Sequence, residues 1–403
     1  MAAAETLAPS SGHGSRTEVF RAFLKLGCTA FGGPIAHLAY FRHEFVEKRR
    51  WLDDAAYADL VALCQFLPGP ASSQVGLALG RRRAGYGGAL LAWTGFTLPS
   101  AMLMIAVAFG VASARDVAHA GWVHGLKVAA VAIVAQALWA MAVTLCPDFR
   151  RALLGAAAAI VLVRWPLAWL QVVVLAAGGL AGRFWLQGTG AGPGTRATPA
   201  PHRFAGAGWL AAFVLLLAVL PVAATLWPQP LLAMVDGFYR AGSLVFGGGH
   251  VVLPMLEHAT VDRGWLDHDQ FLAGYGAAQA LPGPLFAFSA YLGAIQHIEP
   301  RGIVGGLLAL IAIYVPSALL VFGAVPQWDR WRAAPHARAT MAGTNATVVG
   351  LLGAAFYHPV CTSAITGAGP LILALAAFTA LRVVSAPPWA VVLVTAGVGQ
   401  LFF

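Results

Sequence analysis

Apolar runs of about membrane-crossing length alternate along this chain with short polar segments rich in arginine. Gly208–Trp227, Gly121–Cys146 and Ile303–Val325 are the clearest of these runs. Each reaches the roughly 20 residues that carry a helix across a bilayer. An unpaired peptide group is costly in hydrocarbon, so such a segment closes its own hydrogen bonds as a helix. Alternating runs of barrel type are absent. Other apolar stretches are interrupted: Arg21–Tyr40 holds a Gly-Gly-Pro break and Tyr57–Gly80 holds Pro-Gly-Pro. At membrane depth such breaks are tolerated only where protein or a watery cavity covers the backbone. The pattern predicts an all-α polytopic membrane protein.

The pattern also repeats. Phe31-Gly32-Gly33 recurs as Phe246-Gly247-Gly248, with Gly27 and Gly242 four residues before and a base, Lys25 or Arg240, two before that. Trp51-Leu52-Asp53 recurs as Trp265-Leu266-Asp267, and Gln65 to Pro70 recurs as Gln279 to Pro284. Pro99-Ser100 matches Pro316-Ser317, and Gly125 matches Gly343. The offset drifts only from 214 (Trp51 to Trp265) to 218 (Gly125 to Gly343). Two related halves follow, 17–186 and 231–403. A polar linker rich in Gly, Pro, Thr and Ala (187–207) and one further apolar helix (208–230) join them, and 1–16 is a flexible tail.

Composition sharpens the class. Hydrophobic residues are 59% and charged residues 10%, against about 25% charged in soluble domains. The net charge of +9 comes from arginines between apolar runs, which points to membrane topology and not to nucleic acid. Cys28, Cys64, Cys146 and Cys361 lie far apart with no CxxC pair, so neither a disulfide framework nor a metal site is indicated, and no cofactor is expected. The tail lacks the apolar core of a signal peptide.

Charge also orients the halves. Arg42 and Lys48–Arg50 precede Tyr57–Gly80, and Arg81–Arg83 follow it. Both clusters reach the cytoplasm if that segment dips in and returns, so it is read as a re-entrant hairpin. The second half reverses the pattern. Its early loop, Met255–Asp269, carries Glu257, Asp262, Asp267 and Asp269 against one Arg263, and its basic loop, with Arg330, Arg332 and Arg338, comes later. Inverted-topology repeats are therefore expected, with 208–230 supplying the odd crossing.

These residues resemble the chromate ion transporter family in its long, two-domain form. The resemblance rests on Leu26–Pro34, Phe41–Phe45, Arg50-Trp51-Leu52 and above all Leu63–Gln74, with Phe246–His250 and Leu253-Pro254 in the second half. It implies transport, in the direction of efflux, of chromate with sulfate as its mimic, across the cytoplasmic (inner) membrane. The implied partners are the oxyanion and the lipid bilayer; a homodimer stays open. The second half departs where Ala-Ser-Ser-Gln becomes Leu285-Phe286-Ala287-Phe288, which makes the two hairpins chemically unequal.

A transported dianion needs donors and charge compensation. Broken helices aim half-helix N-termini and free N–H groups at one point. The candidate frame is Gly32, Gly33, Pro68, Gly69, Pro70, Gly247, Gly248, Gly249, Pro282, Gly283 and Pro284. Lys25 and Arg240, at one repeat position, are the candidate charges; the alternative is that each extends to the headgroups. Gln65, Gln279, Ser72, Ser73 and Gln74 add neutral donors. His37, His250, Glu44 and Glu257 are candidates for proton coupling, the glutamates being placed to pair with the bases. Lys127 and Asn345 are further polar groups in apolar runs. A passive anion channel is the first rival function and an intramembrane enzyme the second. No HExxH motif or GxSxG elbow occurs.

Overall fold

The computed structural model describes residues 14–31, 33–113, 121–165, 167–186, 206–245, 252–328 and 335–402. Most of the expected linker (187–207) and of the expected tail (1–16) lies outside these residues, as do Gly32, Gly247, Gly248, Gly249 and His250. Among the described residues every regular element is a helix. The first half contains α1 (Arg16–Thr29), α2 (Gly33–Arg42), α3 (Asp54–Phe66), α4 (Ala71–Ser113), α5 (Gly121–Leu145), α6 (Phe149–Arg164) and α7 (Ala168–Trp185). Then come α8 (Ala207–Leu226), α9 (Pro230–Leu244), α10 (Val252–Thr260), α11 (His268–Ala280), α12 (Phe288–Ile295) and α13 (Gly302–Ala324). The chain closes with α14 (Pro335–Ala355), α15 (Ala368–Arg382) and α16 (Pro388–Phe402). Five helical stretches among the described residues are long and apolar enough to cross a bilayer: 71–112, 121–145, 207–226, 302–327 and 339–364.

The repeated Trp-Leu-Asp motif is a helix start. Asp53 accepts from the backbone N–H of Ala56 at 2.7 Å and caps α3. Asp267 caps α11 in a capping box with Gln270. Such caps satisfy N–H groups that the first helical turn leaves unpaired.

The next helix in each half turns back on itself. In α4 the backbone leaves helical geometry at Ala84 and Gly85, where Gly85 takes φ +66°. Its repeat partner Gly302 takes φ +64° at the turn between α12 and α13. Only glycine adopts that region without a steric cost. In the first half the hairpin ends are joined at Glu18, whose carboxylate accepts from Trp51 and from Arg83, each at 3.2 Å. The Gly14 N–H also donates to the Arg83 carbonyl at 3.0 Å. The starts of α1 and α3 and the end of the first arm of α4 (71–83) therefore share one end of the molecule. In the second half the His297 N–H donates to the Trp265 carbonyl at 2.9 Å, bringing the end of α12 to the start of α11. Arg81 donates to the Phe322 carbonyl at 3.1 Å, so the end of α13 lies with the first-half cluster.

The two halves interpenetrate. α5 packs on α15 and α16, and α14 packs on α6 and α7, so each half's long helix is clasped by the last two helices of the other. These contacts run backbone to backbone through small residues. A Cβ on Gly125 would lie 2.1 Å from the Thr395 carbonyl, and one on its repeat partner Gly343 would lie 2.1 Å from the Gly178 carbonyl. In a bilayer, where apolar surface alone does not drive helices together, close van der Waals approach does so. α8 packs on α9 and α13 and presents Val214, Leu215, Val219, Val222 and Leu226 outward.

Gly125→Val is therefore expected to collapse the monodisperse peak in fluorescence-detected size exclusion, because overpacking here meets backbone. Gly110→Ala, with no atom within 4 Å of the new Cβ, leaves the peak unchanged. Equal behaviour of the two variants would contradict the clasped interface.

Candidate functional site

Pro68 and Pro70 carry no N–H, which leaves Gly69 as the one amide donor of its Pro-Gly-Pro turn. That N–H donates at 2.6 Å to the carbonyl of Val245, the residue that follows α9 in the other half. Gly283, between Pro282 and Pro284, donates at 2.9 Å to the carbonyl of Ala30, the residue that follows α1. Ala30 and Val245 are repeat partners (offset 215). Each half thus holds the other's turn by the same bond. Both glycines take positive φ, +121° and +95°, which favours glycine strongly.

The crossing continues in the side chains. A Cβ on Gly69 would lie 2.6 Å from both Gln74 Nε2 and Ser317 Oγ, and one on Gly283 would lie 2.7 Å from Ser100 Oγ. Ser100 and Ser317 belong to the repeated Pro-Ser pair. The first arm of α4 starts directly after Pro70 and places Ser72, Ser73 and Gln74, all buried, in its first turn. Gln74 donates to the Pro68 carbonyl at 2.6 Å and fixes its own turn. His37, also buried, has Nδ1 3.5 Å from Ser72 Oγ and packs edge-on against Phe96. Tyr314 sits beside Ser73 and Thr97, with its ring against Trp93 and Phe286. The second-half counterparts of Ser72 and Gln74 are Phe286 and Phe288, both buried, so these polar side chains belong to one hairpin.

Ser72, Ser73 and Gln74 are thus brought to Gly69, with His37 adjoining, while Gly283 lies against Ser100 and the end of α1. The bases are placed otherwise. Lys25 is 54% exposed and bonds to Glu44 at 3.4 Å, while the Glu44 side chain is 4% exposed and also binds Arg49 at 2.7 Å. Burial pushes the Glu44 carboxyl up. The hydrogen bond from Arg49 and the charges of Lys25 and Arg49 outweigh that, so it titrates below the usual carboxylate range. Arg240 pairs with buried Asp236 on its own helix. Arg263 adjoins this pair, and burial followed by the like charge of Arg240 lowers its pKa. Each base therefore has a carboxylate partner. Glu257 bonds to His268 at 3.1 Å instead of to Arg240. Gln65 is exposed on α3, whereas its partner Gln279 is half-buried on α11. Gly33 takes φ +78° at the start of α2 with open space around it.

Several polar residues of the centre and of its flanks were not among the sequence candidates. Ser100 and Ser317 carried a signal in the repeated Pro-Ser pair. Thr97 and Tyr314 are also repeat partners (offset 217), but their difference in type hides the relation. Lys127, already singled out in its apolar run, bonds to Asp269 at 2.8 Å, a partner 142 residues away that no local pattern announces. No cluster of metal-ligating side chains occurs among the described residues.

A family model described as "Chromate transporter" matches residues 17–183 and 232–400. The chain belongs to the chromate transporter family. It is an integral membrane protein of that family, with both repeats covered. It is 29% identical over 365 residues to a chromate transport protein of Pseudomonas aeruginosa (84% of this chain, 80% of that one). It is 28% identical over 361 residues to one of Cupriavidus metallidurans (86% and 84%). A probable chromate transport protein of Synechococcus elongatus is 26% identical over 360 residues (83% and 81%). No solved structure matches the chain.

The depressed Glu44 carboxyl makes this transporter's stability depend on pH. A group whose folded pKa is lowered stabilises the fold above its ordinary value, near 4.5 here, and loses that contribution as pH falls through its folded value. Glu44→Gln is expected to lower the melting temperature in detergent at neutral pH, and the gap from wild type narrows as the solution is acidified below 4.5. A gap that stays constant with pH would contradict the ion-pair assignment.

Proposed function

We propose that this protein exports chromate, with sulfate-like oxyanions competing, by alternating access between two inverted repeats. The observation that carries the reading is the reciprocal pair of hydrogen bonds, Gly69 to Val245 and Gly283 to Ala30. It ties each Pro-Gly-Pro turn to a helix end of the other half, and the first arm of α4 begins at one of these turns. Helix N-termini favour anions, and membership of the chromate transporter family supports chromate as the anion.

The inverted arrangement draws on where the helix ends lie. The α3 hairpin opens toward Glu18, Arg49 and Arg83. This basic end is cytoplasmic by the arginine rule. The α11–α12 hairpin opens toward Trp265 and His297. Gln400 accepts from the Trp122 N–H at 3.2 Å, which joins the end of α16 to the start of α5, and that end lies opposite the basic cluster.

Alternating access draws on an inequality between repeat-equivalent helices. One stripe of α3 (Asp54, Ala55, Ala58, Asp59, Ala62, Gln65) is exposed. Its small and acidic residues suit water, unlike the leucines and valines that α8 presents. The α11 counterparts are covered by α5 and α16. There Gly276 lies close enough that a Cβ would come within 2.7 Å of the Leu126 carbonyl, and the Lys127–Asp269 pair latches the contact. At the equivalent positions Asn345 and Ala55 cannot form an ion pair. On this reading the conformation is open to the cytoplasm and closed outside, the state that loads an exporter. A passive channel needs no such inequality.

Two measurements test this reading. Inside-out membrane vesicles are expected to take up radiolabelled chromate when energised, saturably and with inhibition by excess sulfate; uptake no greater than in empty-vector vesicles would remove chromate as substrate. In a chain with its four cysteines replaced by alanine, Ala58→Cys reacts with an impermeant maleimide from the cytoplasmic side. Leu272→Cys, its repeat counterpart, stays protected until Asp269→Asn is added. Equal labelling of both without that change would contradict the closed outer gate.

A further inference from the structure

We infer that Ser73, Thr97, Tyr314 and Ser317 form a neutral, hydroxyl-lined receptor for a tetrahedral oxyanion dianion, a receptor that binds without a bare cation. The inference rests on the transport reading above and names the residues that hold the cargo. The four side chains come from three helical segments: the first arm of α4, its second arm (86–113) and α13. They are 2%, 1%, 3% and 0% exposed in that order. By distance and angle none of the four hydroxyls completes a hydrogen bond, and the one approach among them is that of Tyr314 to Ser73 and Thr97, too loose to count as a full bond. Ser317 Oγ borders Gly69 of the crossed turn.

Buried hydroxyls usually find a partner, and those that lack one call for a ligand, a water or an ion. Four gathered at the crossing of two half-helix turns amount to a constellation. The neighbouring hydroxyls behave differently: Ser100 spends its proton on the Thr97 carbonyl at 2.9 Å, and Ser243 spends its own on the Tyr239 carbonyl at 2.7 Å. Trp93 Nε1, whose ring lies 5.6 Å from that of Tyr314, is a fifth buried donor without a partner.

The chemistry of these groups sets the ligand class. Hydroxyls supply protons to an acceptor-rich anion. A tetrahedral dianion offers four oxygens, and the N-terminus of the first arm of α4 adds a positive end. Lys25 and Arg240 are held by Glu44 and Asp236, so charge compensation at this point comes from dipoles. Such a site releases its ligand more readily than a pair of bare bases does, which suits transport. Gly69 lets Ser317 Oγ and Gln74 pack directly against the turn: a methyl group there would fall on both.

The test is equilibrium binding of radiolabelled sulfate to the purified full-length chain in detergent, with unlabelled chromate, nitrate and chloride as competitors. Wild type is expected to bind sulfate, with displacement by chromate and not by nitrate or chloride. Tyr314→Phe keeps the ring packing on Trp93 and Phe286 and removes one donor. It is expected to weaken binding about tenfold or more with an unchanged melting temperature. Ser73→Ala and Ser317→Ala do the same, so the result does not hang on one variant. Wild-type binding that all three variants retain at full affinity would overturn the receptor while leaving the transport reading intact. Wild type that binds neither sulfate nor chromate would overturn both.

Discussion

A glycine N–H between two prolines, placed at membrane depth, must find an acceptor. Gly69 and Gly283 each face that demand, because neighbouring prolines donate nothing. Each is satisfied by a carbonyl from the other half, at the residue where α9 or α1 has just ended. That carbonyl is itself left over by the helix terminus. Two deficits of opposite sign cancel twice, related by the repeat, and neither half can satisfy them alone. The crossed turns therefore bring the first turn of α4, the Pro-Ser segments and Tyr314 to one place.

The remaining packing serves this crossing. Exchange of the last helices, with α5 clasped by α15 and α16 and α14 by α6 and α7, joins the halves by a second route through glycine contacts. The connection is rigid where backbones touch and unequal where they do not. Around α11 the small residues are sealed against α5, whereas along α3 they face outward. In the alternating-access mechanism proposed above, these equivalent parts in inequivalent surroundings exchange roles. In that proposal the ion pair of Lys127 with Asp269, which has no counterpart at Asn345 and Ala55, favours one of the two states.

Much of this was legible in the chain. The helices at 121–145, 207–226 and 302–324 fall within a residue or two of the apolar runs. Trp-Leu-Asp marks a capped helix start in both halves, and Pro-Gly-Pro marks the turns. The unequal hairpins, Ser72-Ser73-Gln74 against Phe286-Ala287-Phe288, were visible as a departure from the repeat. The crosswise bonding was not, because a repeat shows that two segments are alike and does not say which one each contacts. Lys25 and Arg240 stood out as bases in apolar surroundings. Their partners were harder to see: Glu44 comes from a following element, and Asp236 has an arginine, Arg21, as its repeat counterpart. Tyr314 reads as one more aromatic in an apolar helix until its hydroxyl is seen beside Ser73.

Charge is therefore distributed in two layers. Basic side chains and their carboxylates form a network around Glu18 and Glu44 at one end of the molecule, the end that the proposed topology puts in the cytoplasm. Hydroxyls and helix ends occupy the centre. The direct measurement is an anomalous difference map at the chromium edge, from crystals of the full-length protein grown with chromate. A single peak per chain between Gly69 and Gly283, within hydrogen-bonding reach of Ser73 and Tyr314, is the expected result. A peak at Lys25 or Arg240, with none between the crossed turns, would contradict a centre built of neutral donors.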